Sequence, residues 1–351
     1  MTQLFYKDKP VIGLDISQTG IKVMAVDPKK LLVLGYGSVD LDPTKMHHSL
    51  ESGDAYLTDH LQSLLKNKLV GQLPSNHVVI GVPTSRSFSR MFTLPAKSEK
   101  TLADAVEVEV EQYIPIPMTS LYVDYEIIER TKDTLTVIMS AVPKTLIDNC
   151  INAAIASGLR PIMIEPGINS VARVIEATEE GHLPTLIVDI GPASTDIAIL
   201  DGGAIRLSGG VGIGGNTFTL DIAKKLNITL EAAHQLKVLS GLSASPRQAK
   251  ISAALAPSLQ RIVTEIQRVL RYYNERLNIE RKIEQVLVVG GGSNMPGIGD
   301  FFTNELVMAA RVASPWQRLD FGTLPQPGKQ FRPRYIAVAG LASVNQDEVW
   351  Q

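Results

Sequence analysis

The apolar positions of this chain alternate in short runs and then recur at helical spacing, and the succession occurs twice. Ile12-Gly-Leu-Asp-Ile-Ser-Gln-Thr-Gly-Ile-Lys-Val-Met-Ala-Val26 and Leu186-Ile-Val-Asp-Ile-Gly-Pro-Ala-Ser-Thr-Asp-Ile-Ala-Ile-Leu200 each read as an apolar strand, a tight polar turn and an alternating second strand. In each hairpin an aspartate, Asp15 or Asp189, closes the first strand. A third strand is predicted over 31–41 in the first half and over 204–211 in the second. Behind the first hairpin the spacing predicts a helix over 54–69, with Leu57, Leu61, Leu64 and Leu65 on one face, and then a buried strand over 77–82. Behind the second it predicts helices over 217–226, 230–239 and 257–277. The last carries the stripe Leu259, Ile262, Val263, Ile266, Leu270, Tyr273 and Leu277, which fits a core better than a partner surface. The order β-β-β-α-β-α thus appears twice, and 351 residues exceed what one core usually organises, so two similar lobes are expected.

Between the halves, 86–163 reads as an inserted α/β module. It has a strand over 87–94, a helix over 99–113, strands over 122–129 and 134–142, and a helix over 144–157. Pro115-Ile-Pro117 stops the first of these helices, because proline lacks the donor and disfavours helix in the residue before it.

Charge and cysteine content narrow the function classes. Lys plus Arg at 34 nearly cancels Asp plus Glu at 36 without any long basic run, so nucleic acid is not an expected partner. The single Cys150 leaves no intramolecular disulfide and no metal-ligand spacing with the six histidines, which points to the cytosol. Met1–Pro10 is polar and unlike a signal peptide, and no apolar run reaches the roughly 18 residues that span a bilayer, so membrane contact is expected only through partners.

The turns carry the candidate chemistry. Asp15-Ile-Ser-Gln-Thr-Gly20 with Lys22 beyond it offers backbone N–H groups, hydroxyls and a positive charge to phosphate oxygens, although the same composition also makes an ordinary turn. Gly191-Pro-Ala-Ser-Thr195, between Asp189 and Asp196, repeats the design. Two aspartates at equivalent points of duplicated hairpins suit a hydrated Mg²⁺ with phosphates on the two turns. Val286-Leu-Val-Val-Gly-Gly-Gly-Ser-Asn-Met-Pro-Gly-Ile298 reads as a buried strand, a triple-glycine turn and a helix start on which a flat ring can lie, and it lacks the βαβ context of a dinucleotide fingerprint. The glycine cluster over 208–219 is either a flexible loop or a ribose or phosphate contact.

Together these segments resemble the actin, hexokinase and DnaK-type chaperone superfamily. Asp15 to Lys22 resembles the first phosphate loop, Glu165-Pro-Gly-Ile-Asn-Ser-Val-Ala172 the first connecting helix, and Asp189 to Asp196 the second phosphate loop. Gly290 to Gly297 resembles the adenosine segment and Tyr335-Ile-Ala-Val-Ala-Gly-Leu-Ala342 the second connecting helix. The inserted module looks like that of FtsA. Glu107-Val-Glu-Val-Glu-Gln-Tyr-Ile-Pro-Ile-Pro117, Val123-Asp-Tyr-Glu126, Gly214-Gly-Asn-Thr-Phe-Thr219 and Glu231-Ala-Ala-His-Gln-Leu-Lys237 are similar to the PilM family of type IV pilus assembly.

The resemblance implies an actin-like ATPase fold of α/β class: two ribonuclease-H-like lobes with a small FtsA-type α/β subdomain inserted in the first. The implied boundaries are 10–85 for the first lobe, 86–163 for the insertion, 164–184 and 334–346 for the connecting helices, and 185–316 for the second lobe, with a helical subdomain at about 217–284. It implies ATP with Mg²⁺ on Asp15 and Asp189, and phosphates on Ser17, Gln18, Thr19, Lys22, Gly191, Ala193, Ser194 and Thr195. Adenosine is implied on Asn216, Lys237, Gly291 and Gly292, and Glu165 as the catalytic residue that orients the attacking water. Pro192 removes one backbone donor from the second loop, so at most slow hydrolysis is expected. The implied partner is the short N-terminal cytoplasmic peptide of a PilN-like inner-membrane protein, in a groove near 86–94 and 113–125, with recruitment to the inner face of the cytoplasmic membrane. Tyr113, Ile114 and Ile116 fit that groove or the insertion's own core. Pilus motor components and self-association are further implied contacts. The end of the chain, 343–351, is short and polar, unlike the membrane-targeting helix of FtsA. An actin-fold small-molecule kinase and an FtsA-like filament former are the alternative readings.

Overall fold

A computed structural model describes residues 11–179, 181–276 and 281–345. The expectations for the first ten residues, for Leu277 and for the chain end beyond Asn345 lie outside the described residues.

The first lobe opens with β1 (Ile12–Ser17), β2 (Gly20–Asp27) and β3 (Leu32–Asp40), an antiparallel meander. Helices α1 (Pro43–Ser52) and α2 (Ala55–Asn67), the two-residue β4 (Val70–Gly71) and β5 (His77–Val82) follow. Helix α1 was not expected. Its signals are nonetheless local: Asp42 accepts hydrogen bonds from the N–H groups of Thr44 and Lys45, Pro43 sits in the first turn, and Gly53 ends the helix at φ 70°.

The intervening segment contains β6 (Phe88–Pro95), α3 (Leu102–Tyr113), β7 (Leu121–Arg130), β8 (Thr134–Pro143), α4 (Lys144–Ala156) and β9 (Arg160–Pro166). It divides between two cores. Strands β6, β7 and β8 pack on α3 through Phe92, Val106, Val110 and Val137, and Ile114 and Ile116 join them. Helix α4 instead packs Leu146, Ile147, Cys150 and Ala154 into the first lobe's core with Leu57, Leu61 and Leu64 of α2. Strand β9 extends the first sheet, whose order is β4-β3-β2-β1-β5-β9.

Helix α5 (Gly167–Thr178) leads to the second lobe: β10 (Thr185–Ile190), β11 (Thr195–Asp201), β12 (Ala204–Val211), α6 (Gly215–Leu226), α7 (Leu230–Leu239), α8 (Gln248–Arg276), β13 (Gln285–Val289), α9 (Ile298–Leu306) and β14 (Ala310–Val312). Helix α8 starts nine residues before the expected Pro257, which lies inside it. Ile251, Ala254 and Leu255 continue the apolar stripe backward, and burying them outweighs the one hydrogen bond a mid-helix proline forfeits. The second sheet runs β14-β13-β10-β11-β12-β6-β8-β7, so the inserted strands prolong the second lobe's sheet although they follow the first lobe in sequence. In both lobes the aspartate-bearing strand pairs antiparallel with the next strand and parallel with a later one.

Helix α10 (Ile336–Ala342) closes the described chain. With α5 it fills the space between the two sheets, where Met24 and Val26 of one sheet and Ile187, Ala198 and Leu287 of the other share a single core with Trp316 and Phe321. The two helices cross closely at Gly340, where a Cβ would collide with the carbonyl oxygen of Ser170. Gly340→Ala should therefore lower stability by about 1–3 kcal/mol through overpacking, read as an earlier urea midpoint; an unchanged midpoint would show that the helices separate freely.

Candidate functional site

The two aspartate-bearing hairpins face each other across a cleft at the carboxyl ends of their strands, where open α/β sheets place ligands. One end is lined by the first turn (Asp15 through Gly20, with Lys22), by Gly191, Pro192, Ala193 and Ser194 of the second, and by Gly290 and Gly291. It continues past Thr19, Asp40, Gly191, Gly291 and Arg334 into a cavity of about 740 Å³ lined by Asn216, His234, Lys237, Leu239, Gly292 and Phe331. A cavity of that size lies in the range that encloses small ligands.

The hairpins are charged unequally. Asp15 lies opposite Lys22 in the β1–β2 ladder, and Lys22 Nζ donates to Asp15 Oδ2 at 2.6 Å. At the equivalent register of β10–β11, Asp189 lies opposite Asp196, a second carboxylate. Three carboxylates thus share the cleft with Lys22. Burial, then Asp15, push Asp189 up to about 6, with Lys22 opposing. Burial, then Asp189 and Asp15, push Asp196 up to about 7 against the Thr84 hydroxyl, and Asp196 Oδ1 is buried without a hydrogen-bond partner. Both groups sit deep in the molecule and keep solvent contact through the cleft.

This charge excess suits a divalent cation. Among the described residues no group of three or more His, Cys, Asp or Glu side chains is arranged to hold a metal alone. Two facing carboxylates fit Mg²⁺, which keeps several waters and takes further oxygens from a bound phosphate. Gly290 is required beside them: at φ 80° its missing Cβ leaves room for Asp189 Oδ1.

Most of the residues expected from sequence converge here, and two do not. Thr195 is fully buried, and its hydroxyl donates to Ile213 O at 2.7 Å instead of facing the cleft. Glu165 is also outside the lining. It shares a sheet row with Asp15, because Asp15 pairs with Gly81 and Gly81 with Glu165, which places it two strands away, roughly 10 Å. Leu341 covers Gly81 between them. Both Glu165 oxygens accept from Arg173, at 2.7 and 2.8 Å, and Arg173 also donates to Gly340 O at 3.0 Å. In this arrangement Arg173 takes both oxygens of Glu165 and links β9 to α5 and α10. Ser17 donates to Gly20 O and so shapes its own turn, while lining the cleft.

Lys237 lines the larger cavity with its ammonium donating to Gly215 O at 2.7 Å and Thr219 Oγ1 at 2.8 Å, and burial lowers it to about 8. It fixes the first turn of α6. That turn in turn holds the second loop, since Gly215 and Asn216 donate their N–H groups to Gly191 O and Pro192 O, both at 2.9 Å. Asp40 and Arg334 were not assigned from sequence, and Asp196 and Gly290 entered only as ends of the second phosphate loop and the adenosine segment. For Asp196 a signal existed: it follows Asp189 by seven residues, as Lys22 follows Asp15.

A family model described as type IV pilus assembly protein PilM matches residues 13–345. Among solved structures the chain is similar to a PilM-PilN type IV pilus biogenesis complex, at TM-score 0.77 and 22% identity over 95% of this chain and 97% of that one. It is similar also to MreB 5 of Spiroplasma citri bound to AMPPNP, at TM-score 0.55 and 16% identity over 95% of each chain. Cell division protein FtsA of Neisseria meningitidis serogroup B is 27% identical over 174 residues, 44% of this chain and 41% of that protein, so the match spans less than half of the relative. These likenesses establish the actin-like fold.

The raised carboxylates predict a pH dependence. An aspartate whose folded pKa exceeds its unfolded 3.8 stabilises fully below pH 3.8 and loses that contribution as pH rises through the folded value, here about 6 and 7. Asp196→Asn should therefore match wild type near pH 4 and gain a growing stability advantage toward pH 8, in urea titrations with EDTA. An advantage that does not change with pH would refute the placement of Asp196.

Proposed function

This chain belongs to the PilM family of type IV pilus assembly proteins, and from that premise we propose that it is an ATP-binding adaptor that holds the cytoplasmic N-terminal peptide of a PilN-like inner-membrane protein. The observation that carries the nucleotide half is the cleft itself, in which two aspartate hairpins open into a nucleoside-sized cavity. Asp15 and Asp189 would hold Mg²⁺, with phosphates on the two turns. The neighbour MreB 5 was solved with AMPPNP, which supports the same reading. Bound Mg²⁺ neutralises phosphate charge. The engagement of Glu165 by Arg173 and the missing N–H of Pro192 favour binding over turnover.

The peptide half is supported by a second cavity of about 470 Å³ between the inserted strands and the second lobe. Strands β12 and β6 pair only at Leu207 and Arg90. Beyond that pair Ser87, Phe88 and Ser89 on one side and Ser208 through Gly212 on the other line the opening, which suits an extended peptide that adds main-chain bonds. Arg90 stacks on Tyr113, 3.2 Å from its ring centre, so the exposed Tyr113 faces this groove while Ile114 belongs to the module's core. No helix among the described residues is long and apolar enough to cross a membrane, which is consistent with a protein recruited to the inner face of the cytoplasmic membrane by its partner.

Calorimetry with ATP and Mg²⁺ tests the cleft: Asp189→Ala should weaken binding at least about tenfold, through loss of a cation ligand and its charge-assisted contacts. A synthetic PilN N-terminal peptide should bind wild type, and Tyr113→Ala should weaken it about fivefold or more, as expected for an aromatic anchor. ATP binding without peptide binding would favour a kinase or filament role instead; failure of both would leave only the scaffold.

A further inference from the structure

The cleft also holds an ion pair that belongs to neither aspartate hairpin. Asp40, at the end of β3, and Arg334, in the 3-10 segment Lys329–Tyr335, meet with both carboxylate oxygens on the two terminal guanidinium nitrogens. Both residues line the turn end of the cleft and the larger cavity, so the pair stands where the two join. That junction is where a nucleotide's phosphate chain would meet its nucleoside.

The two partners are held unequally. Arg334 is 26% exposed; its stem passes over Gly291 and its guanidinium lies 5.9 Å from the Phe331 ring. Its segment is tied to the glycine turn by Asn294 Nδ2, which donates to Gln330 O at 2.8 Å. Asp40 is 69% exposed. Lys22, Lys237 and Arg334 are the lysine and arginine side chains that line the two cavities. Lys22 is committed to the buried Asp15, and Lys237 to Gly215 O and Thr219. Of the three, Arg334 is the one whose acceptor is mostly exposed to solvent.

We propose that Arg334 is a phosphate-binding residue of the cleft, held in reserve by Asp40, whose carboxylate occupies the anion position that a nucleotide phosphate takes on entry. The proposal rests on the nucleotide reading given above. A guanidinium presents the same parallel donors to a carboxylate and to a phosphate, and one fork does not serve both. An exposed ion pair contributes little, so a phosphate with its larger charge displaces Asp40 at modest cost. Asp40 thereby sets the affinity for phosphorylated ligands and leaves unphosphorylated nucleosides unaffected.

Calorimetric titration of the full chain with ATP plus Mg²⁺, ADP plus Mg²⁺, and adenosine, for wild type, Asp40→Asn, Arg334→Met and the double variant, decides the matter. Asp40→Asn should bind ATP and ADP about three- to tenfold more tightly, and Arg334→Met about tenfold less tightly, with adenosine unchanged in each. In the Arg334→Met background, Asp40→Asn should have no effect. Unaltered or weaker ATP binding by Asp40→Asn, or an effect that persists without Arg334, overturns the proposal while wild-type ATP binding stands. A wild type that binds neither ATP nor ADP overturns the nucleotide reading, and this proposal with it.

Discussion

The crossing of α5 and α10 at Gly340 is the contact on which the rest of the molecule depends. It sets two sheets face to face with two helices between them, and only that stacking brings Asp15 and Asp189, 174 positions apart in the numbering, to opposite walls of one cleft. Arg173 reinforces the same place, since one guanidinium joins Glu165 on β9 to the carbonyl of Gly340 on α10. Glu165 is buried while Arg173 keeps partial solvent contact, so it is removal of Arg173 that would leave an uncompensated buried charge.

The cleft's electrostatics follow from an asymmetry within the duplication. The two hairpins share backbone geometry and register, yet the position opposite the aspartate is lysine in the first and aspartate in the second. Lys22 compensates one carboxylate at 2.6 Å and leaves two others raised. A cation accompanied by a polyanion resolves this better than either alone, because the cation relieves the carboxylates while the turns supply donors to the anion. The second turn arrives prearranged: its carbonyls at Gly191 and Pro192 are already capped by α6, so the proline that removes a donor still contributes an acceptor that fixes the loop.

Legibility in the sequence divided along the line between local and tertiary causes. The hairpins, the helix stripes and the glycine turn were readable because alternation and 3.6-residue spacing are local. Helix α1 was equally local, but its first residue, Pro43, follows the third strand after only Leu41 and Asp42, and its apolar face is only Met46 and Leu50. Pro257 looked like a first-turn proline because that is where proline is best tolerated, and only the packing of Ile251 and Leu255 shows otherwise. The destination of α4 and the commitments of Thr195 to Ile213 and of Glu165 to Arg173 depend on which surfaces meet, and composition does not encode that.

The segment from Ser208 to Asn216 joins the two sites physically. Ser208 through Gly212 form one wall of the groove beside β6. Val211 pairs with Thr195 at the base of the second turn, and Ile213 O receives the Thr195 hydroxyl. Two residues later Gly215 and Asn216 cap the carbonyls of that same turn. Of these groups only the Thr195 hydroxyl is fully buried, so losing its bond to Ile213 O would cost about 1–3 kcal/mol, whereas the Gly191 and Pro192 carbonyls border the cleft. The Thr195 hydroxyl and the N–H groups of Gly215 and Asn216 thus tie the second turn to the strand that lines the groove, because the bonds run from one short stretch of chain.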